Sequence, residues 1–228
     1  MGRKKGPHWH GHRARLRERF RRAGEVALAD YELLELLLTY AIPRRDVKPQ
    51  AKALLERFGS LAGVLAAPED ELQQVEGIGP SASLLIRLVK ELGAASLAGE
   101  LKGRDLVNSP ERVVAFARMK FGAEREEHFA VLYLNAKNEL IDVEVMQRGT
   151  VDRAVVYPRQ VVEGALRRGA SGVILLHNHP SGHPDPSPED RVLTGQVAMA
   201  LRPLEIRLLD HLIVAQGGHF SFREKGLL

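Results

Sequence analysis

The stretch VILLHNHPSGHPDPSPED, residues 173–190, decides the fold of the C-terminal half of this 228-residue chain. It begins with four consecutive apolar residues, a run typical of a short buried strand. A loop rich in proline and glycine follows, and Ser187 with Pro188 forms a pair that commonly begins a helix. The pattern predicts a strand, a loop and a helix, with polar side chains gathered where the strand ends.

Two histidines stand at the end of this strand. Residues two apart in a strand point to the same side, so His177 and His179 can reach one metal ion. Asp190 lies in the first turn of the next helix and adds a carboxylate. The chain has no cysteine, so any metal must be held by histidine and carboxylate groups. Such a set leaves one position of a zinc ion open, as in catalytic zinc sites. We therefore predict a Zn²⁺ site at His177, His179 and Asp190.

Two other histidines are weaker candidates. His183 lies in a flexible Gly-His-Pro stretch, and we do not expect it to be a ligand. His211 lies in an apolar segment, where it is either a buried hydrogen-bonded histidine or a group that supports the metal ligands from behind.

Helices and strands alternate irregularly around the metal motif. We predict helices at 111–121, 158–168 and 188–201, and strands at 128–134, 140–146, 172–176, 207–215 and 219–222. There is no strict βαβ repeat, which favours an α/β or α+β layer fold.

The region 12–96 is predicted to be all helical. Helices are expected at 31–40, 51–58 and 61–66, with Asp30 and Ser60 as N-caps and with residues 43–49 as a loop. The segment 97–110 lacks a helical period and is predicted to be a linker.

A sharper pattern lies at residues 68–93, where two helices are joined by the turn Glu76-Gly77-Ile78-Gly79. This resembles a helix-hairpin-helix, in which the backbone N–H groups of Gly77 and Gly79 would hold a nucleic-acid phosphate. The alternative is that the Gly-Ile-Gly turn serves only to pack the two helices against each other. Positions 80–86 carry no Lys or Arg, which weakens the nucleic-acid interpretation, and Arg87 and Lys90 are the nearest cations.

The positive charge is concentrated at the N-terminus. Residues 1–22 hold nine basic residues and one acidic residue, a net charge of +8, while the rest of the chain carries −4. Such an arm suits a polyanion such as DNA, or else it is a solvated tail. There is no secretory signal and no apolar run long enough to cross a bilayer, so we expect a cytoplasmic protein without a membrane partner.

The spacing from His177 and His179 to Ser187 and Asp190 resembles the JAMM signature of the MPN/JAB metalloprotease superfamily. The motif HNHPSG, followed by PSPED, Thr194 and Leu209-Asp210-His211, resembles the RadC family, whose members have been labelled DNA repair proteins. The resemblance implies a JAB/MPN-like metallohydrolase domain of α/β (α+β) class after a small all-α helix-hairpin-helix domain. The expected boundaries are a basic arm at 1–22, a helical domain at 23–98, a linker at 99–108 and a zinc domain at 109–228.

The JAMM resemblance also implies an upstream glutamate that acts as general acid and base. Glu127 is the matching position, and the adjacent Glu126 is the alternative; the two point to opposite sides of a strand, so only one can face the metal. Ser187 can donate a hydrogen bond to a developing oxyanion, or it can cap the helix that Pro188 begins.

Three functions are consistent with these features. The first is zinc-dependent hydrolysis of a peptide or isopeptide bond in a protein substrate. The second is a DNA-associated repair or replication factor that binds DNA through the arm and the hairpin. The third is a binding module whose catalytic potential is unused, which the intact set of ligands argues against.

Overall fold

The computed structural model describes residues 11–149 and 156–228. The chain divides into two compact units, a helical unit up to Lys90 and a sheet unit from Glu91 onwards. The first ten residues of the predicted basic arm, and part of the segment after the second strand, lie outside the described residues. No helix in the described part of the chain is long and apolar enough to cross a membrane.

The helical unit is built from short helices: α1 (His12–Ala23), α2 (Asp30–Ala41), α3 (Lys48–Phe58), α4 (Leu61–Ala66), α5 (Glu69–Gln73) and the first part of α6 (Pro80–Leu101). A short 3₁₀ turn, Gly24–Ala27, follows α1. Leu38, Leu54, Val64, Leu72 and Ile86 are completely buried in its main core. Leu16 of α1 is buried in a smaller cluster with Leu28 and Leu36, so half of the predicted arm is a packed helix.

Three boundaries in the helical region differ from the prediction. Ala29, not Asp30, is the N-cap of α2, and Glu32 accepts a hydrogen bond from the Ala29 N–H at 3.1 Å. Pro49 lies in the first turn of α3, where its missing N–H is not needed. Helix α6 continues through Gly93 to Leu101, and the end of the Met119 side chain packs against Gly93, 2.2 Å from where a Cβ would lie.

The sheet unit contains the end of α6, helix α7 (Pro110–Phe121), and a five-stranded sheet in the order β2-β1-β3-β4-β5. The strands are β1 (Glu127–Leu134), β2 (Leu140–Gly149), β3 (Gly172–Asn178), β4 (Arg207–Ala215) and β5 (Gly218–Ser221). Helix α8 (Pro158–Arg168) precedes β3, helix α9 (Pro188–Leu201) follows it, and a 3₁₀ turn, Arg202–Leu204, leads into β4. Only β3 and β4 are parallel, and α9 makes the connection between them.

Both faces of the sheet are covered by apolar side chains, which is why its central strands are almost uniformly hydrophobic. On one face, Leu132 and Leu176 pack with α7. On the other face, Val131 and Leu175 pack with α8 and α9. The α+β fold with a helical N-terminal region is the predicted one.

This alternation determines where the polar residues at the end of β3 point. Val173, Leu175 and His177 share the face covered by α8 and α9, because side chains alternate along a strand. Asn178 points to the opposite face, towards the segment that follows α7. The polar end of β3 is therefore divided between the two faces of the sheet.

Candidate metal centre

The three predicted ligands meet where β3 ends and α9 begins. His177 Nε2 lies 3.2 Å from Asp190 Oδ1, and His179 Nε2 lies 3.3 Å from Asp190 Oδ2. The two Nε2 atoms are 2.9 Å apart. One ligand atom from each residue lies within 4.8 Å of the others, and in the described part of the chain no other group of three such residues meets this condition.

These residues fit a zinc ion. Tetrahedral zinc with ligand bonds of about 2.0–2.1 Å separates its ligand atoms by about 3.3–3.4 Å, close to the distances found here. The opposite ring nitrogen of each histidine also has a partner. His179 Nδ1 lies 3.0 Å from the His183 carbonyl oxygen, and His177 Nδ1 lies 2.9 Å from His211 Nε2. Such partners orient a metal-binding imidazole and leave its Nε2 free to bind.

The charges at the site stabilise one another. Burial raises the pKa of the Asp190 carboxyl, but hydrogen bonds from His177 and His179 outweigh burial and hold that pKa well below its ordinary value. The hydrogen bond to Asp190 raises the pKa of His179, burial opposes this, and the negative charge of Glu127 contributes to the increase. The negative charge of Asp190 favours a positive charge beside it, which a bound cation would supply in place of a protonated histidine.

Ser187 is the N-cap of α9. Its Oγ accepts a hydrogen bond from the Asp190 N–H at 3.0 Å and donates one to Asp190 Oδ2 at 2.7 Å. The Ser187 N–H donates to the same carboxylate oxygen, also at 2.7 Å. Ser187 and Asp190 therefore form a reciprocal capping box, and the capping role considered for Ser187 is present.

Glu127 is the first residue of β1, the strand that pairs with β3 in antiparallel register. Phe129 is opposite His177, so continuing the register places Glu127 opposite His179. Residues directly opposite in an antiparallel pair point to the same face, which puts Glu127 on the face of the two histidines and Glu126 on the other. Glu127 is half-buried and Glu126 is exposed.

Asn178, between the two histidines, holds the backbone on both sides of Glu127. Its Oδ1 accepts a hydrogen bond from the His128 N–H at 2.8 Å, and its Nδ2 donates to the Glu126 carbonyl at 3.0 Å. The side chain of Asn178 is itself buried. Sequence analysis did not predict this contact, because the partners are about fifty positions away in the chain.

His211 lies in β4 directly behind His177 and is completely buried. Burial lowers the pKa of His211 well below its ordinary value, and the neighbouring His177 adds to this. Its Nδ1 lies 2.6 Å from Thr194 Oγ1. The structure is consistent with both roles considered for His211: it is buried and hydrogen-bonded, and it contacts the candidate ligand His177. His183 contributes its backbone carbonyl to the site.

The Gly-Ile-Gly turn lies in the helical unit, between α5 and α6. Gly77 has φ +86°, a conformation that favours glycine, and Ile78 is buried in the main helical core. Arg87 forms an ion pair with Glu69 at 2.7 Å, and Lys90 is buried. Of the two cations expected to assist phosphate binding, Lys90 is therefore buried and Arg87 is exposed but paired with an acidic residue.

Comparison with known families agrees with this arrangement. A family described as the RadC-like JAB domain matches residues 107–227, which include the whole sheet and all three ligands. A second family, described as UPF0758 N-terminal, matches residues 8–84 of the helical unit. The first match covers more than half of the chain, and the chain belongs to the RadC family.

Proposed function

We propose that this chain is a zinc-dependent hydrolase that cleaves peptide or isopeptide bonds in a protein substrate. The observation that carries the proposal is the convergence of His177 Nε2, His179 Nε2 and the Asp190 carboxylate at one point. The antiparallel register of β1 and β3, which continued by two residues brings Glu127 opposite His179, supports the proposal, since hydrolysis needs a group that can take up and return a proton.

Each residue of the site has a role in this chemistry. His177, His179 and Asp190 would hold the zinc, which supplies a Lewis acid that polarises the carbonyl and activates water. Glu127 takes a proton from the attacking water and returns it to the leaving amine. The Ser187 hydroxyl, which donates to Asp190 at 2.7 Å, turns to donate to the carbonyl oxygen as negative charge develops there.

The composition of the site favours an acyl substrate over a phosphodiester. Cleavage of nucleic acid commonly uses two metal ions held by several carboxylates. Among the described residues, the candidate ligand group contains one carboxylate and two histidines. This set suits a single zinc ion acting on a carbonyl.

The test compares Glu127→Gln with Glu126→Gln, two adjacent residues given the same change. Zinc content is measured by mass spectrometry, and new protein N-termini are identified in cells that express each variant. We expect about one zinc per chain in both variants, as in a catalytic site with three protein ligands. Turnover of the cleaved proteins should fall by about 10²–10⁴-fold in Glu127→Gln only. Loss of cleavage in Glu126→Gln alone would show that Glu127 does not transfer the proton.

DNA binding by the helical unit is a second candidate. It is favoured by the turn at Gly77 and by the first turn of the 22-residue helix α6, which carries no acidic residue. The N–H groups at such a helix start attract phosphate. Arg15 and Arg21 of α1 add exposed positive charge.

This candidate is tested with the full chain, because removing residues 1–22 would also remove the buried Leu16. Binding of a fluorescein-labelled DNA duplex is followed by anisotropy over a salt series. Changing both Arg15 and Arg21 to Gln should weaken binding and reduce the salt slope by about 1 for each phosphate that the variant no longer binds. Arg202→Gln, in the sheet unit, is the control. Absence of binding at low salt would exclude this function.

A further inference from the structure

A circuit of close polar contacts runs behind the candidate metal centre. It begins at the backbone carbonyl of Asp190, which accepts a hydrogen bond from Thr194 Oγ1 at 2.5 Å. Thr194 Oγ1 lies 2.6 Å from His211 Nδ1, and His211 Nε2 lies 2.9 Å from His177 Nδ1. The circuit returns to the Asp190 side chain through His177 Nε2. All four residues are buried, so water does not compete for these bonds.

The number of protons in this circuit limits how it can be arranged. A hydroxyl has one proton, a neutral imidazole has one N–H, and a carbonyl can only accept. When Thr194 donates to the Asp190 carbonyl, its oxygen can only accept from His211 Nδ1–H. His211 Nε2 then has a lone pair, so His177 must donate from Nδ1. His177 Nε2 is left with the lone pair that a metal requires.

The opposite arrangement prevents binding by His177. If Thr194 donates to His211 Nδ1, then His211 donates from Nε2 to His177 Nδ1. The proton of His177 then lies on Nε2, the atom that faces Asp190. This second arrangement gives the Asp190 carboxylate a hydrogen bond from His177 and suits a site without a cation. A cation at His177 Nε2 requires the first arrangement, in which the Asp190 carbonyl accepts the Thr194 proton inside a buried region.

We propose that Thr194 and His211 are positioning residues that hold His177 in its metal-binding tautomer and so set the affinity for zinc. The inference rests on the proposed metal site. Neither residue touches the substrate or the metal; each acts through His177. Thr194 is one turn after Asp190 in α9, so the helix that supplies the carboxylate ligand also fixes the tautomer of a histidine ligand.

The test uses Thr194→Val, which keeps the shape of the side chain and removes the hydroxyl. Zinc affinity is measured by competition with a chelator. We expect affinity to fall about 10–100-fold, the usual effect of removing a group that supports a ligand. Thr194→Ser restores the hydroxyl and should recover most of the affinity. Thr39→Val is the matched control, because Thr39 is also buried in a helix and donates to a backbone carbonyl, Leu36, at 2.7 Å.

Long-range ¹H–¹⁵N correlation spectra give a readout that does not depend on the variants. In the zinc-loaded wild type, His211 should be protonated at Nδ1 and not at Nε2. Wild-type affinity in Thr194→Val, or a His211 ring protonated at Nε2, would overturn this inference alone. A wild-type chain that binds no zinc would overturn both this inference and the proposed function.

Discussion

The two units of the molecule bury polar side chains in different ways. In the helical unit the buried polar groups lie apart: Thr39 and Ser83 donate to carbonyls of their own helices, at 2.7 Å and 3.1 Å, and Glu35 faces His12 of α1 at 2.9 Å. In the sheet unit, five buried polar residues gather at one place, with contacts from β3 to β4 and from β3 to α9. These residues are His177, Asn178, Asp190, Thr194 and His211.

The two kinds of buried polar group differ in what they contribute: one kind supports only stability, and the other can also serve chemistry. A hydroxyl that donates to its own helix satisfies a buried group at small cost and needs no partner elsewhere. A network between elements requires several groups to be satisfied at once, and a single unmet partner is costly. Such networks with shifted pKa values are found at functional sites, and here the network surrounds the candidate metal ligands.

The largest expected effect is on metal content. His177→Ala removes one ligand of three and should reduce bound zinc from about one ion per chain to nearly none, measured by mass spectrometry of the purified protein. His183→Ala is the control, because the site uses only the backbone carbonyl of His183. Full zinc retention in His177→Ala would show that the sheet unit's polar network is structural, like the buried groups of the helical unit.

The next largest effect is on the helical unit. Leu54 is completely buried in its main core, so Leu54→Ala should lower the free energy of unfolding by about 2–5 kcal/mol. Thermal unfolding followed by circular dichroism measures this decrease. Zinc affinity should be unchanged, since every candidate ligand belongs to the sheet unit. A decrease in zinc affinity in Leu54→Ala would contradict the expectation that the two units are energetically independent.

Tight packing in the sheet unit also exists away from the metal centre. A Cβ on Gly164 of α8 would lie 2.0 Å from Tyr133 Oη, whose hydroxyl donates to Glu144 at 3.0 Å. Gly164→Ala should therefore destabilise the protein by about 1–3 kcal/mol in thermal unfolding, without loss of zinc. Gly195→Ala in α9 is the control, because a Cβ there meets no atom within 4 Å. Equal effects at both positions would indicate a general helix effect.

The smallest difference compares two serine N-caps, one in each unit. Ser60 accepts from the Gly63 N–H at 3.0 Å, and Ser187 accepts from the Asp190 N–H at 3.0 Å. Each Ser→Ala change should cost about 1 kcal/mol of stability. Only Ser187→Ala should also slow hydrolysis of the cleaved proteins. Equal activity in both variants would limit Ser187 to capping.

The sequence predicts the elements that its own local signals define. Helix α9 spans Pro188–Leu201 as expected, because Ser187 and Pro188 specify its start. Helix α8 also has its predicted bounds, Pro158–Arg168. The three candidate ligands come together, as predicted, for the same reason: His177 and His179 end a clear strand, and Asp190 follows a clear N-cap.

What the sequence did not predict depends on contacts between distant segments. The sequence predicted a two-helix pattern that ends at residue 93 and a linker from residue 97, but α6 runs to Leu101 and packs against Met119 at Gly93. Local propensity is weak compared with such packing. The hydrogen bonds of Asn178 to the backbone on both sides of Glu127, and the contact of Thr194 with His211, likewise join segments that no local pattern connects.

The double use of Asp190 has a consequence for how this site would decay during evolution. The same carboxylate completes the cap of α9 and faces the two histidines, so a substitution that abolished metal binding would also weaken the start of a helix. Selection for stability alone therefore retains Asp190 in a lineage that no longer needs catalysis. Within the described residues, the side chain of Glu127 makes no hydrogen bond or ion pair that supports the start of a helix. Under the proposed function, loss of Glu127 would therefore abolish hydrolysis and leave the cap of α9 intact.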